Sequence, residues 1–188
     1  MGEAKRRKQA GNYPAKERVR QESGNTAYSK CRLAFEAAEK GDLETLKSLV
    51  RTRREANWQH PEFDIVLLDQ AVMRNDIEML RFLLEQGANP NALFECGRLV
   101  LCPSDFGDGM YFSPLATAIS DGHAEILVAL LDAGADLNLP KWIDNESGER
   151  MTCRDALDDS PELFAAMEAL ILKKVTSKAC SPSRAQRI

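Results

Sequence analysis

The chain has 188 residues and a formal net charge of −4, and 44% of its residues are hydrophobic and 29% charged. These values are ordinary for a globular protein, so they exclude a wholly disordered chain and predict one compact domain, with or without tails. No apolar run reaches the roughly 18 residues of a membrane-spanning helix. The basic N-terminus is not followed by the apolar segment of a secretory signal, so we expect a cytoplasmic protein. In that reducing compartment its cysteines should be free thiols.

Charge is segregated along the chain. Residues 1–22 carry a net charge of +4 and residues 173–188 carry +5, whereas residues 23–172 carry −13. Both ends are also poor in large apolar side chains, which is typical of flexible segments. We therefore predict a flexible basic N-terminal arm over 1–27, a folded acidic domain over 28–172 and a basic C-terminal tail over 173–188.

Three stretches of the chain share one helical pattern. They start at Gly41, Asn75 and Gly122, and each places apolar residues at its third, sixth, ninth and tenth positions, which form one face of a helix. The second and third stretches continue into similar turns, at 86–91 and 133–138, in which a glycine supplies the left-handed cap that ends a helix. The chain therefore repeats one unit of helix and turn.

A shorter helix is predicted upstream of the third repeated one. Ser113-Pro114 suits an N-cap followed by proline at the first helical position. Residues 113–138 resemble the ankyrin-repeat family, whose pattern is Thr-Pro-Leu-His-x-Ala, then Gly-His, then Leu-Leu-x-x-Gly-Ala. The units at 66–91, 28–57 and 148–172 match it more loosely. The motif positions that should be buried in the third unit are Leu115, Ala118, Leu127, Leu130 and Leu131.

The resemblance covers about residues 28–172 and implies an all-α solenoid of about four helix-turn-helix units with β-hairpin finger loops. The first and last units, at 28–57 and 148–172, would act as caps. The resemblance also implies a non-enzymatic module that binds a partner protein through its finger tips and concave inner helices, without a cofactor. Because the sequence has no phosphate-binding or zinc motif, we predict no catalytic, cofactor-binding or metal-ligating residue.

One finger is unusually long. The pattern recurs 47 residues after Asn75, at Gly122, about 14 more than the ankyrin period. The excess falls in residues 92–112, which are rich in apolar and aromatic side chains. Insertions of this kind map to loops on one face of a solenoid, often the binding face. The alternative is that Leu99 to Leu101 pair as a hairpin and cover the edge of a repeat.

Two cysteines, Cys96 and Cys102, lie in the long finger. As zinc ligands they lack a second Cys/His pair at usable spacing, and as a disulfide they would need an oxidising compartment. We therefore expect unpaired structural thiols, with a redox or enzymatic use as the alternative.

Aromatic side chains on successive fingers are candidate anchors for a partner. Trp58 lies at the base of the first finger, Tyr111 near the end of the second and Trp142 in the third. Such rings often dominate interface energies. We expect Phe112 instead to pack under its own hairpin, and nearby acids to form a rim. The predicted partner-binding residues are Trp58, Asp108, Met110, Tyr111, Trp142 and Asp144.

The charge of the folded body favours a partner protein with a basic surface. We expect a monomer with no membrane contact, and the roles of adaptor, inhibitor and secreted effector stay open. The alternative function is association with nucleic acid. It would have to use Lys5-Arg6-Arg7-Lys8 and the C-terminal tail, because the acidic folded body repels phosphate.

Overall fold

The computed structural model describes residues 15–60, 65–95, 98–99, 109–144 and 146–179, with side chains for 26–60, 65–94, 111–143 and 146–173. Within these ranges the chain forms nine helices and five short strands. The helices are α1 (Ala15–Lys40), α2 (Leu43–Leu49), α3 (Arg53–Ala56), α4 (Leu67–Met73), α5 (Ile77–Glu85), α6 (Pro114–Ser120), α7 (Ala124–Asp132), α8 (Cys153–Asp158) and α9 (Pro161–Ala179). The strands are β1 (Phe94–Glu95), β2 (Arg98–Leu99), β3 (Gly109–Phe112), β4 (Pro140–Asp144) and β5 (Glu149–Thr152).

The helices stack as pairs in two layers. The inner helices α1, α4, α6 and α8 contact one another in chain order, and each also packs on its own outer helix, α2, α5, α7 or α9. The outer helices α5, α7 and α9 also contact in sequence. The predicted all-α solenoid of helix pairs, with hairpin fingers and a long insertion in one of them, is therefore confirmed.

Polar side chains cap the N-termini of the short helices α5 and α6. The Ser113 side chain accepts a hydrogen bond from the backbone N–H of Ala116 at 3.0 Å and so begins α6. Asp76 does the same for α5 through Met79 N–H at 2.9 Å. Gly87 and Gly134, with φ of 86° and 88°, follow the ends of α5 and α7 in the left-handed region that glycine adopts without strain.

The core runs the length of the solenoid between the two layers. Leu115, Ala118, Leu127 and Leu130 are fully buried there, as predicted. Leu131 is only partly buried and packs against the same cluster.

Both predicted arm boundaries fall inside helices. α1 starts at Ala15, so residues 15–27 of the predicted flexible arm are helical, and α9 continues through 173–179. The N-terminal segment has no apolar face of its own, but it contains helix-forming Ala, Lys, Glu, Arg and Gln residues and no proline, so it can extend the packed half of α1. Residues 1–14 and 180–188 lie outside the described residues.

Candidate functional site

The second and third fingers form one continuous sheet. Its strand order is β2-β1-β3-β4-β5, and every described pairing is antiparallel. β3 is the shared strand, because it pairs with β1 of its own finger and with β4 of the next. The sheet therefore ties the base of the long finger to the finger that follows.

The strand register sets a row of apolar residues across this sheet. Residues directly opposite each other share a face, and alternate residues along a strand return to that face. Met110 lies opposite Trp142, Trp142 lies opposite Met151, and Phe112 is two residues from Met110. We call the three of these whose side chains are described, Phe112, Trp142 and Met151, the sheet row. The backbone register places two predicted residues, Met110 and Trp142, opposite each other.

The sheet row is accessible to solvent at its described side chains. Phe112 is 53% exposed, and Trp142 and Met151 are half-buried. Phe112 lies opposite Phe94, which is fully buried in the solenoid core, and Met151 at the other end of the row packs against the same core. Sequence reasoning missed Met151, and it expected Phe112 to pack under its own hairpin. The sequence signal that could have placed Met151 on a strand is its position one residue before Thr152. The Thr152 side chain caps α8 and so marks the end of β5.

Tyr111 does not join the sheet row. It points to the opposite face of β3 and is only 1% exposed, so in this conformation it offers no surface to a partner. The expectations for these two adjacent rings are reversed, because Tyr111 is buried and Phe112 is the ring in solvent. Residues 1 apart on a strand face opposite sides, and the sequence does not reveal which side is covered.

Trp58 lies apart from the sheet, in a groove between α1 and the first finger. The groove has a volume of about 460 Å³ and is lined by Ala27, Tyr28, Cys31, Trp58, Gln59 and His60. Trp58 is half-buried and packs against the core, and Tyr28 is 50% exposed. The ring of His60 meets Phe35 edge-on, with centroids 4.8 Å apart. Among the described residues this finger has one isolated bridge, between Gln59 and Val66, and no strand in the five-stranded sheet.

Of the two predicted acidic residues, Asp144 lies among the described residues and Asp108 does not. Asp144 ends β4 and lies opposite Glu149 in the backbone register. Asp108 lies outside the described residues. The acidic rim therefore stays a prediction.

Asparagine side chains fix the fingers to one another. Asn57 donates from Nδ2 to the Gly87 carbonyl at 2.9 Å and accepts at Oδ1 from Asn89 N–H at 2.7 Å. Asn91 repeats both bonds one unit later, to Gly134 O at 3.0 Å and from Asp136 N–H at 2.8 Å. We call these two pairs of bonds the Asn links. Because each link joins one turn to the next, the fingers are held at a set spacing.

The described thiols are not activated. Cys31 and Cys153 are buried and free, and burial raises the pKa of both, that of Cys153 to about 11. A thiol with a raised pKa is a weak nucleophile and a poor metal ligand. No group of three or more His, Cys, Asp or Glu residues in the described part of the chain is placed to hold a metal ion. Cys96 and Cys102 lie outside that part.

One carboxyl group is buried without full hydrogen bonding. Asp69, in the first turn of α4, is 4% exposed. Its Oδ2 accepts from Val66 N–H at 3.0 Å, and its Oδ1 has no hydrogen-bond partner among the described residues. Burial raises the pKa of Asp69 to about 7, although the Val66 hydrogen bond opposes the rise.

Comparison with known families places the repeats independently of the geometry. A family model described as ankyrin repeats matches residues 34–141 with three copies. The matched range runs from the packed half of α1 to the start of β4. A search of the curated proteins found no match to the chain. None of the helices described is long and apolar enough to cross a membrane.

Proposed function

The chain belongs to the ankyrin-repeat family, and we propose that it is a non-enzymatic module whose partner protein docks on the sheet row. Ankyrin repeats generally serve as protein-protein interaction modules. The free thiols of Cys31 and Cys153 fit a reducing compartment such as the cytoplasm.

The observation that carries the proposal is the sheet row itself. Three antiparallel strands bring large apolar side chains from both the second and third fingers to one face, where Phe112 is 53% exposed. Aromatic anchors commonly supply much of an interface's energy. The Asn links and the shared strand β3 hold the row in place before binding, which lowers the entropy lost on association.

Charge supports a basic partner. Residues 23–172 carry a net charge of −13, so the folded body attracts a positive surface over distances of about 10 Å at 0.1 M salt. Association should therefore be fast at low ionic strength and slower as salt rises.

The test is capture of the partner by purified full chain, followed by affinity measurement with variants. Trp142→Ala and Phe112→Ala should each weaken binding by about 30-fold, which corresponds to roughly 2 kcal/mol for a truncated anchor. Leu33→Ala is the matched control, because Leu33 is 51% exposed on α1, outside the sheet. Circular dichroism melting of the same samples separates lost binding from lost folding.

Two results would refute the proposal. One is unchanged affinity for both sheet-row variants with intact melting. The other is salt-dependent binding to duplex DNA that is lost when residues 1–14 and 180–188 are removed, which would favour the nucleic-acid alternative. A change in the bound partner's own activity would distinguish an inhibitor from an adaptor.

A further inference from the structure

A cleft lies between the last two units of the solenoid, where the inner helices turn into the outer helices. It has a volume of about 550 Å³ and separates the end of α6 from the start of α9. Because α6 and α8 begin directly after β3 and β5, their far ends lie away from the sheet row. The cleft is therefore separate from the surface on which the partner protein is proposed to dock. Its lining residues are Ile119, Ser120, Asp121, Gly122, Ser160, Pro161, Glu162, Leu163 and Ala166.

The cleft combines buried apolar residues with exposed acids. Ile119 and Leu163 are buried. Asp121 and Glu162 are exposed, and neither carboxylate has an ion-pair partner among the described side chains. The described lining contains no lysine or arginine, and Asp159, the C-cap of α8, adds a further negative charge close by. Such a surface is complementary to a long basic side chain, which has an apolar stem and a cationic end.

In the first two units an arginine of this chain fills the equivalent space. Gly41 and Gly122 each follow an inner helix in the left-handed region, with φ of 75° and 72°. A Cβ built on Gly41 would lie 2.6 Å from Nη2 of Arg74, so the guanidinium rests directly on this glycine. Nη1 of the same guanidinium donates to the carbonyl of Glu39, in the last turn of α1. The end of the first inner helix therefore already binds an arginine that comes from the next unit.

At the cleft the corresponding arginine is replaced by an acid. Arg74 and Asp159 are the C-caps of α4 and α8, so they hold corresponding positions in the second and fourth units. Ser120 lines the cleft and corresponds to Glu39 in the repeat alignment. A Cβ on Gly122 would meet no described atom within 4 Å apart from those of its chain neighbours. The site that Arg74 fills in the first two units is thus open in the last two.

We propose that this cleft binds an arginine side chain from a basic segment of a partner protein. The guanidinium would donate to the Ser120 carbonyl, in the way that Arg74 donates at the end of α1. Its remaining N–H groups would reach the carboxylates of Asp121 and Glu162. Arginine fits better than lysine, because its planar group has five N–H donors and can serve a carbonyl and a carboxylate together.

Binding of N-acetylarginine amide to the isotope-labelled full chain, followed by amide NMR shifts, tests the proposal. The shifts should saturate at Gly122 and Glu162, with a dissociation constant of about 1 mM for a single side chain. N-acetylcitrulline amide has a similar shape without the charge, and it should bind at least about tenfold more weakly, because hydrogen bonds to charged groups are stronger. Equal binding of the two probes, shifts of equal size at acids throughout the chain, or no saturable shift would overturn the proposal.

Two substitutions in the cleft and one outside it locate the site. Asp121→Asn and Glu162→Gln should each weaken binding by about threefold, in the range for an exposed ion pair. Glu85→Gln is the matched control and should leave binding unchanged, because Glu85 is an exposed acid at the end of α5, outside the cleft. Unchanged binding in both cleft variants would contradict the proposed contacts. If the probe binds only after Arg184→Gln and Arg187→Gln, the occupant is the tail of this chain and the assignment to a partner is wrong.

A final variant rebuilds the first-unit contact at the last turn. Asp159→Arg should place a guanidinium on Gly122 as Arg74 does on Gly41, raise the melting temperature and weaken probe binding at least about tenfold. Asp159→Gln removes the acid without supplying a guanidinium, and it should bind the probe within about twofold of the original chain. Full probe binding in Asp159→Arg would show that the two positions do not correspond and would refute the proposal. None of these residues belongs to the sheet row, so the result is independent of binding there.

Discussion

Asp69 should make the stability of the solenoid fall as pH rises through neutrality. Asp69 is 4% exposed, and one of its carboxyl oxygens is bonded to Val66 N–H while the other has no described partner. The neutral acid tolerates that position better than the carboxylate does. Asp69→Asn keeps the shape and the acceptor for Val66 but carries no charge at any pH, so it isolates the effect of ionisation.

The size and sign follow from the raised pKa. The ordinary aspartate value is about 3.9, and burial raises the pKa of Asp69 to about 7. Between those values the folded chain holds a proton that the unfolded chain has released, so the free energy of unfolding falls as pH increases. At 1.36 kcal/mol per unit, the contribution is about 4 kcal/mol, present below pH ~4 and lost above pH ~7.

Urea unfolding of both proteins, followed by circular dichroism between about pH 4 and pH 8, measures this contribution. Other carboxyl groups titrate as well, and hydrogen bonds lower the pKa values of Asp42, Glu55 and Asp155. Their effects are common to both proteins and cancel in the difference. Relative to the original chain, the free energy of unfolding of Asp69→Asn should rise by about 4 kcal/mol from low to high pH. A constant difference across that range would show that Asp69 ionises normally and that the argument from burial is wrong.

Three further predictions concern packing, the Asn links and the buried thiol. Leu130→Ala should lower the free energy of unfolding by about 2–5 kcal/mol, because Leu130 is fully buried, and a loss below about 0.5 kcal/mol in urea unfolding would contradict the repeat alignment. Asn91→Ala should cost about 1–3 kcal/mol by the same measurement, and more than Asn138→Ala, because the Asn91 side chain joins two turns and that of Asn138 bonds within one. Cys153 should react with a maleimide reagent at pH 8 only as fast as the chain unfolds, because it is buried and burial raises its pKa to about 11; rapid labelling at Cys153 itself, identified by peptide mass spectrometry, would contradict this.

Local sequence signals were sufficient to predict the repeats but not their ends. α6, α7 and the turn at Gly134 follow from a Ser-Pro cap, a 3.6-residue apolar period and a glycine, all of which act over a few residues. The start of α1 at Ala15 carries no such signal, because its first turns are mostly polar and have no sustained apolar period. The long extent of α9 was likewise hidden behind the run of lysines after Leu172.

The sequence predicted some of the residues of the candidate site but not how they are arranged in space. Trp142 and Met110 were identified as aromatic and apolar residues on unusual fingers, which requires only the repeat alignment. Their pairing across β3 and β4 is set by the backbone register between distant segments, and a shift of one residue would turn every side chain to the other face. The same dependence explains why Tyr111 and Phe112 exchanged their expected positions. Residue type alone cannot decide between two faces of a strand.

The Asn links also set how the fingers carry mechanical load. Asn91 connects its own turn to the turn at Gly134 and Asp136. Asn57 connects the preceding turn to the one at Gly87 and Asn89. A displacement of one turn should therefore reach the next through these side-chain bonds as well as through the backbone.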